Sequence, residues 1–122
     1  MAAQAKILIV DDERDLVDAY VRLLERSGYR CAGAFDASQA LQIIDAEPPD
    51  LVITDLSLPD SSGIDIIRRV RAKLPVAPII VMSGHNSPGL HEAALAAGAD
   101  ISLLKPVSIA ELRRVIGEAL PR

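Results

Sequence analysis

Ile7-Leu8-Ile9-Val10 runs without a polar break and stops on Asp11-Asp12. An apolar run that ends abruptly on carboxylates reads as a strand buried on both faces whose carboxyl end reaches solvent. The pattern recurs three times. Leu51-Val52-Ile53-Thr54 stops at Asp55, Ile79-Ile80-Val81-Met82 stops at Ser83, and the run 101–104 stops at Lys105-Pro106. As parallel strands of one sheet, these runs set their carboxyl ends along one edge, where open α/β sheets bind ligands. Three carboxylates, a hydroxyl and an ammonium then meet in one shallow cleft suited to a divalent cation and a phosphoryl group.

Helical spacing fills the intervals. After Asp12, Leu16, Ala19, Tyr20, Leu23 and Leu24 fall on one face, and Gly28 is placed for a left-handed C-terminal cap. Residues 29–35 make a weaker strand, suited to a sheet edge. A helix from about Ser38 to Ala46 turns Ala40, Leu41 and Ile44 inward. A third, from Gly63 to about Lys73, buries Ile67, Val70 and Leu74. Ser87-Pro88 opens a fourth, with Leu90, Ala93, Ala94 and Ala97 inward and Gly98 at its end. Ser108 and Glu111 form a predicted capping box for the last, which buries Ile109, Leu112, Val115, Ile116 and Ala119. Five β-α units in this order imply a doubly wound parallel sheet with helices on both faces.

The 122 residues suit one domain, and half of them are hydrophobic, enough for a core. With only Tyr20, Tyr29 and Phe35 as aromatics, that core must be aliphatic. No apolar stretch reaches the eighteen or more residues of a membrane span, and the first residues lack the pattern of a secretory signal. The single Cys31 has no partner for an internal disulfide, and the expectation is a reduced thiol in the cytoplasm. A net charge of −4 argues against nucleic-acid binding by this domain alone. Arg68, Arg69, Arg71 and Lys73 close the third helix, where cations suit the dipole, and read as a solvated face.

One of Asp11 and Asp12 also suits the start of the first helix, and Asp55 alone would pass for a turn residue. Together with Lys105 they leave a formal charge of −2, and carboxylates crowded this closely call for a cation. Mg²⁺ takes oxygen ligands and is content with one or two carboxylates, keeping waters to exchange for phosphate oxygens. Asp12 and Asp55 are the expected direct ligands, with Asp11 holding a metal-bound water and the Ser57 backbone carbonyl as a further ligand. Asp55 is the candidate nucleophile toward phosphorus. Lys105 and either the Ser83 hydroxyl or the Gly84 backbone N–H would neutralise the remaining phosphoryl oxygens.

With these residues in place, the chain resembles a response-regulator receiver domain of two-component signalling. The matching pieces are Ile-Val-Asp-Asp-Glu at 9–13, Asp-Leu-Ser-Leu-Pro-Asp-Ser-Ser-Gly at 55–63, Met-Ser-Gly at 82–84 and Leu-Leu-Lys-Pro at 103–106. The resemblance covers essentially residues 1–122, expected to be a single receiver domain with no output domain. It implies a flavodoxin-like fold with strand order 2-1-3-4-5, and a sensor histidine kinase or phosphotransfer protein as phosphoryl donor. Asp55 would be the phosphoacceptor, Asp11 and Asp12 the acidic pair, Ser83 the switch hydroxyl and Lys105 the phosphate-binding lysine. The Lys105-Pro106 bond would be cis. Such a chain is a switch that catalyses only its own phosphorylation and dephosphorylation, serving a separate target or a fused output domain, with homodimerisation open.

One position departs from the family. Receivers usually carry Tyr or Phe three residues before the lysine, and this chain has Ser102. The phosphorylation chemistry should survive, while the route to the output surface should differ. Ser57 and His85 stand two residues past Asp55 and Ser83, where the family tunes acyl-phosphate hydrolysis; His85 either holds a water or is a solvated loop residue. His91 reads as a polar residue of the fourth helix. Three other readings compete. A nucleotide or flavin module would want a glycine- or hydroxyl-rich first turn in place of Asp-Asp-Glu. A haloacid-dehalogenase-type phosphohydrolase needs Asp-x-Asp after the first strand. A degenerate receiver acting only as a docking surface would more often have lost an acidic residue or the lysine.

Overall fold

The computed structural model describes residues 4–84 and 88–120. The chain alternates strand and helix: β1 (Lys6–Val10), α1 (Arg14–Arg26), β2 (Arg30–Ala34), α2 (Ala37–Ala46) and β3 (Leu51–Asp55). Two short strands then follow, β4 (Ser57–Leu58) and β5 (Ser61–Ser62), before α3 (Gly63–Lys73). The chain continues through β6 (Ile79–Ser83), α4 (Pro88–Ala97), β7 (Ile101–Leu104) and α5 (Ile109–Ala119). Five parallel strands form one sheet in the order β2-β1-β3-β6-β7. With the two short strands set aside, this is the expected 2-1-3-4-5 arrangement.

Each buried strand divides its side chains between two cores. Leu8, Val10, Val52, Ile79 and Val81 meet Ala40, Ile44, Ile67, Val70 and Ala94 on one face. Ile7, Ile9, Ile53, Ile80 and Met82 meet Val17, Tyr20, Leu24, Leu112 and Ile116 on the other. Apolar demand from both faces is why these strands read as unbroken hydrophobic runs. β7 is also apolar in sequence, yet it is the second sheet edge and is only half-buried, with Leu104 46% exposed.

The helices differ from expectation in phase. α1 buries Val17, Tyr20 and Leu24, while Ala19 is exposed. The cause is Gly33 of β2, where an added Cβ would lie 2.6 Å from Val17 Cγ1, so α1 settles with Val17 against the bare backbone. In α4, Ala94 is buried and Leu90 and Ala97 partly so, but Ala93 faces solvent. Residues 85–87 lie outside the described residues, so the expected Ser87 cap falls there. Gly28 (φ 100°) and Gly98 (φ 127°) end α1 and α4 in the left-handed conformation, as predicted. Glu13 takes the N-cap of α1 without a side-chain capping bond, and Asp11 accepts the Glu13 N–H just ahead of the helix. The predicted box on α5 is half-formed: Ser108 accepts the Glu111 N–H, while the Glu111 carboxylate pairs with Arg114.

Arg71 is the largest departure on α3. Arg68 and Arg69 are exposed, but Arg71 is half-buried and donates to four acceptors. Its guanidinium bonds the carbonyls of Leu74 (3.0 Å), Ala77 (2.7 Å) and Gly98 (2.7 Å) and the Asp100 carboxylate (2.8 Å). Asp100 in turn accepts the Ile79 N–H at 2.8 Å. One side chain thus ties the ends of α3 and α4 to the start of β6. Arg71→Ala should cost about 2–4 kcal/mol in urea unfolding, because several part-buried carbonyls lose their donor. Arg71→Lys should recover little of that loss, since an ammonium lacks the planar fork.

Among the described residues, no helix is long and apolar enough to cross a membrane. Burial, aided by Glu25, pushes the half-buried Cys31 thiol up to about 11, so it stays protonated at neutral pH.

Candidate functional site

Strand register builds the site. Val10 of β1 stands beside Thr54 of β3, so the next residue on each strand brings Asp11 next to Asp55. Asp55 pairs with Met82, and Ser83 with Leu104, which sets Ser83 and Lys105 along the same edge. Asp11, Asp12 and Asp55 each offer a carboxylate oxygen, all within 4.8 Å of one another. Asp11 is fully buried and Asp55 is 7% exposed, whereas Asp12 is open to solvent.

Lys105 reaches into this cluster. Its Nζ lies 2.7 Å from Asp11 Oδ2, 3.4 Å from Asp55 Oδ2 and 3.6 Å from Glu13 Oε1. Asp11 Oδ1 accepts the Glu13 N–H at 3.0 Å, and Asp55 Oδ1 accepts the Ser57 N–H at 3.3 Å. Burial pushes the Asp55 carboxyl above the usual carboxylate range; Lys105 opposes this and Asp11 adds to it. Burial alone would lower the Lys105 ammonium, but the hydrogen bond and charge of Asp11, with Asp55, hold it above the usual lysine value. Both shifts describe an ammonium held between carboxylates it cannot fully neutralise. The Lys105-Pro106 bond is cis. Beyond it, the Val107 carbonyl accepts the Tyr20 hydroxyl at 2.8 Å, fixing the turn to α1.

The Ser83 hydroxyl stands at the end of β6, 1% exposed, and its carbonyl accepts the Lys105 N–H at 2.8 Å. Gly84 is exposed beside it, and Pro106 is exposed beside Lys105. Ser57 opens the β4–β5 ribbon two residues past Asp55. His85 lies outside the described residues. The donor set suits a hard divalent ion: three carboxylates, two of them nearly removed from water, share one ammonium and keep a formal charge of −2.

Two arrangements escaped the sequence. His91 is not a detached polar residue: its Nδ1 is hydrogen-bonded to Ser102 Oγ, joining α4 to β7 where the family aromatic usually stands. Asp60, in the turn of the ribbon, accepts backbone N–H groups from α2. Neither has a local signal, because the partners lie 11 and more than 20 residues apart.

Comparison with known proteins agrees with this geometry. The response regulator receiver domain model matches residues 7–117. Response regulator protein PilR of Pseudomonas aeruginosa is 34% identical over 118 residues, which is 97% of this chain and 26% of that protein. The alkaline phosphatase synthesis transcriptional regulatory protein PhoP of Bacillus subtilis is 34% identical over 117 residues, 96% of this chain and 49% of its own length. The chain thus spans about a quarter to a half of these curated relatives. Among solved structures, a CheY-like receiver domain protein of Methanospirillum hungatei matches with TM-score 0.91 and 32% identity, over 95% of this chain and 93% of that one. The chemotaxis response regulator CheY4 of Vibrio cholerae matches with TM-score 0.90 and 27% identity, over 97% and 100%. A sheet edge carrying an acidic trio, a hydroxyl and a lysine, together with these matches, means that the chain belongs to the response regulator receiver domain family, the phosphorylation-controlled switch of two-component signalling.

Proposed function

We propose that this receiver takes its phosphoryl group onto Asp55, in a Mg²⁺-dependent reaction with a phosphohistidine donor. The observation that carries the assignment is the Lys105 ammonium, 2.7 Å from Asp11 and 3.4 Å from Asp55 within a trio of carboxylates. In the transfer, an Asp55 oxygen attacks phosphorus in line. The P–N bond to the donor imidazole breaks, and its electron pair stays on the departing nitrogen. Lys105 gives up part of its pairing with Asp55 to hold a phosphoryl oxygen, and the Ser83 hydroxyl or Gly84 N–H takes another. Asp12, Asp55 and the Ser57 carbonyl, with Asp11 acting through water, would hold Mg²⁺, which would supply charge neutralisation for the remaining oxygen. Hydrolysis of the aspartyl phosphate resets the site, so the chain turns over only its own modification.

The donor fitting this chemistry is a sensor histidine kinase or a phosphotransfer protein in the cytoplasm. The output passes to a separate protein target, a fused domain or a second copy of the chain. Incubation with Mg²⁺ and acetyl phosphate should add one phosphoryl group to the intact mass. No gain in mass at saturating donor would refute the assignment.

The output route is where this receiver departs from its family. The His91–Ser102 bond supports a polar link between α4 and β7 in place of an aromatic side chain from β7. Ser102→Ala should therefore lose about 1 kcal/mol in urea unfolding. Acetyl phosphate should label it at the wild-type rate, since the Ser102 hydroxyl is engaged by His91 of α4. A slowed rate would tie the pair to the chemistry instead.

A further inference from the structure

The ribbon that follows the acceptor strand is too small to hold itself. Each of its strands has two residues, paired Ser57 with Ser62 and Leu58 with Ser61. A two-stranded ribbon of this size is not stable alone in water. Its base is well anchored: Leu56 and Leu58 are buried, and Ser62 caps α3 by accepting the Asp65 N–H. Gly63 presses so closely on Leu56 that a Cβ there would lie 2.2 Å from the Leu56 carbonyl oxygen. The tip, Pro59-Asp60, is exposed, and its anchor comes from elsewhere in the fold.

That anchor is α2. Asp60 Oδ1 accepts the Ala37 N–H at 2.8 Å, and Oδ2 accepts the Ser38 N–H at 3.0 Å. These are the first two residues of α2, whose N–H groups have no acceptor within the helix. The local N-cap, Asp36, serves a different donor, the Gln39 N–H at 2.7 Å. The first turn of α2 is therefore held by two carboxylates, one its own and one lent by the ribbon. α2 itself is fixed to the core through Ala37, Ala40, Leu41 and Ile44, so it makes a rigid post.

We infer that Asp60 is a positioning residue for the divalent ion: by pinning the ribbon tip to the first turn of α2, it fixes the Ser57 carbonyl. The inference rests on the proposed function, in which that carbonyl is a metal ligand. The arm of the ribbon from Ser57 to Asp60 is four residues long and is tied at both ends, by the Ser57 N–H on Asp55 and by Asp60 on α2. Releasing the far end frees the peptide that carries the carbonyl, without touching any carboxylate of the trio. Outer partners of this kind typically tune metal affinity 10–100-fold.

The test is Mg²⁺ titration by calorimetry on the folded, metal-free chain, with amide hydrogen exchange on residues 57–62. Asp60→Ala should raise the Mg²⁺ dissociation constant about tenfold and quicken exchange through the ribbon. Asp60→Asn, which keeps a carbonyl acceptor, should fall between Asp60→Ala and wild type. Labelling by acetyl phosphate should return to the wild-type rate at saturating Mg²⁺. Asp36→Ala is the control: it removes the other bond to α2, weakens the fold, and should leave Mg²⁺ affinity unchanged. Wild-type affinity in Asp60→Ala would overturn the inference and leave the acceptor assignment standing. A wild-type chain that binds no Mg²⁺ would overturn both.

Discussion

Asp55→Asn is expected to take up no phosphoryl group from acetyl phosphate and, without Mg²⁺ at pH 7, to melt above the wild type. The first result follows from loss of the proposed nucleophile, since a neutral amide oxygen does not form the acyl phosphate. The second follows from burial. Desolvation raises the Asp55 carboxyl above its ordinary range, and Asp11 adds to that. A carboxyl with a raised folded-state pKa favours folding while protonated, and that contribution is lost as pH rises through the folded value. At pH 7 the ionised side chain is therefore a burden on the metal-free fold. Asparagine has nearly the same shape without the charge. Lys105 loses only its longer contact, at 3.4 Å, and keeps Asp11 at 2.7 Å. The stability gain should shrink as pH falls through the raised folded value and be gone by about pH 4, where an unfolded aspartate is itself protonated. Mg²⁺ should reverse the order, because an ion at 100 times its dissociation constant adds about 2.7 kcal/mol to a fold that binds it. Thermal unfolding at pH 4 and 7, with and without Mg²⁺, gives the four values needed. A labelled Asn variant would move the acceptor elsewhere, and a lower metal-free melting point would mean that the Lys105 attraction outweighs burial.

The residues behind this expectation were legible in the sequence because buried parallel strands are almost wholly apolar until they leave the sheet. Asp11, Asp55, Ser83 and Lys105 each mark such an exit, and the strand register brings them to one edge. What stayed hidden depends on backbone groups or on distant partners. The carbonyls that receive Arg71 belong to Leu74, Ala77 and Gly98, and a carbonyl has no letter of its own. Asp60 stands in the turn of the ribbon, but its carboxylate serves a helix that begins 23 residues earlier. The two-residue strands of the ribbon are too short to carry any period. In α1 the apolar residues cover a broad arc, and only the gap at Gly33 selects Val17 over Ala19 as the buried centre.

Lys105→Met is the second large effect, and it separates stability from catalysis. The methionine retains much of the aliphatic stem, so the variant removes the ammonium with little change in packing. Asp11, with no exposed surface, then keeps the Glu13 N–H but loses the ammonium that stood 2.7 Å from its Oδ2. Removing one partner of a buried pair costs roughly 3–5 kcal/mol, because the charge left behind is uncompensated. Metal-free Lys105→Met should show that loss in urea unfolding across the neutral range. Asp11 and Asp55 outweigh burial and hold the lysine above its ordinary value, so the ammonium stabilises the fold below the unfolded lysine pKa. Its contribution fades as pH rises through the folded value, and the gap between variant and wild type should narrow only above about pH 10.4. Mg²⁺ bound as proposed would restore positive charge to the same carboxylates, so it should stabilise the variant by more than it stabilises the wild type. Phosphorylation should not recover with it: the phosphoryl oxygen that Lys105 would hold loses its donor, a deficit of about 10²–10³ in rate by analogy with lost oxyanion contacts. A variant restored by Mg²⁺ in both stability and labelling would make Lys105 a counterion alone. Stability regained without labelling assigns it to the transferring group.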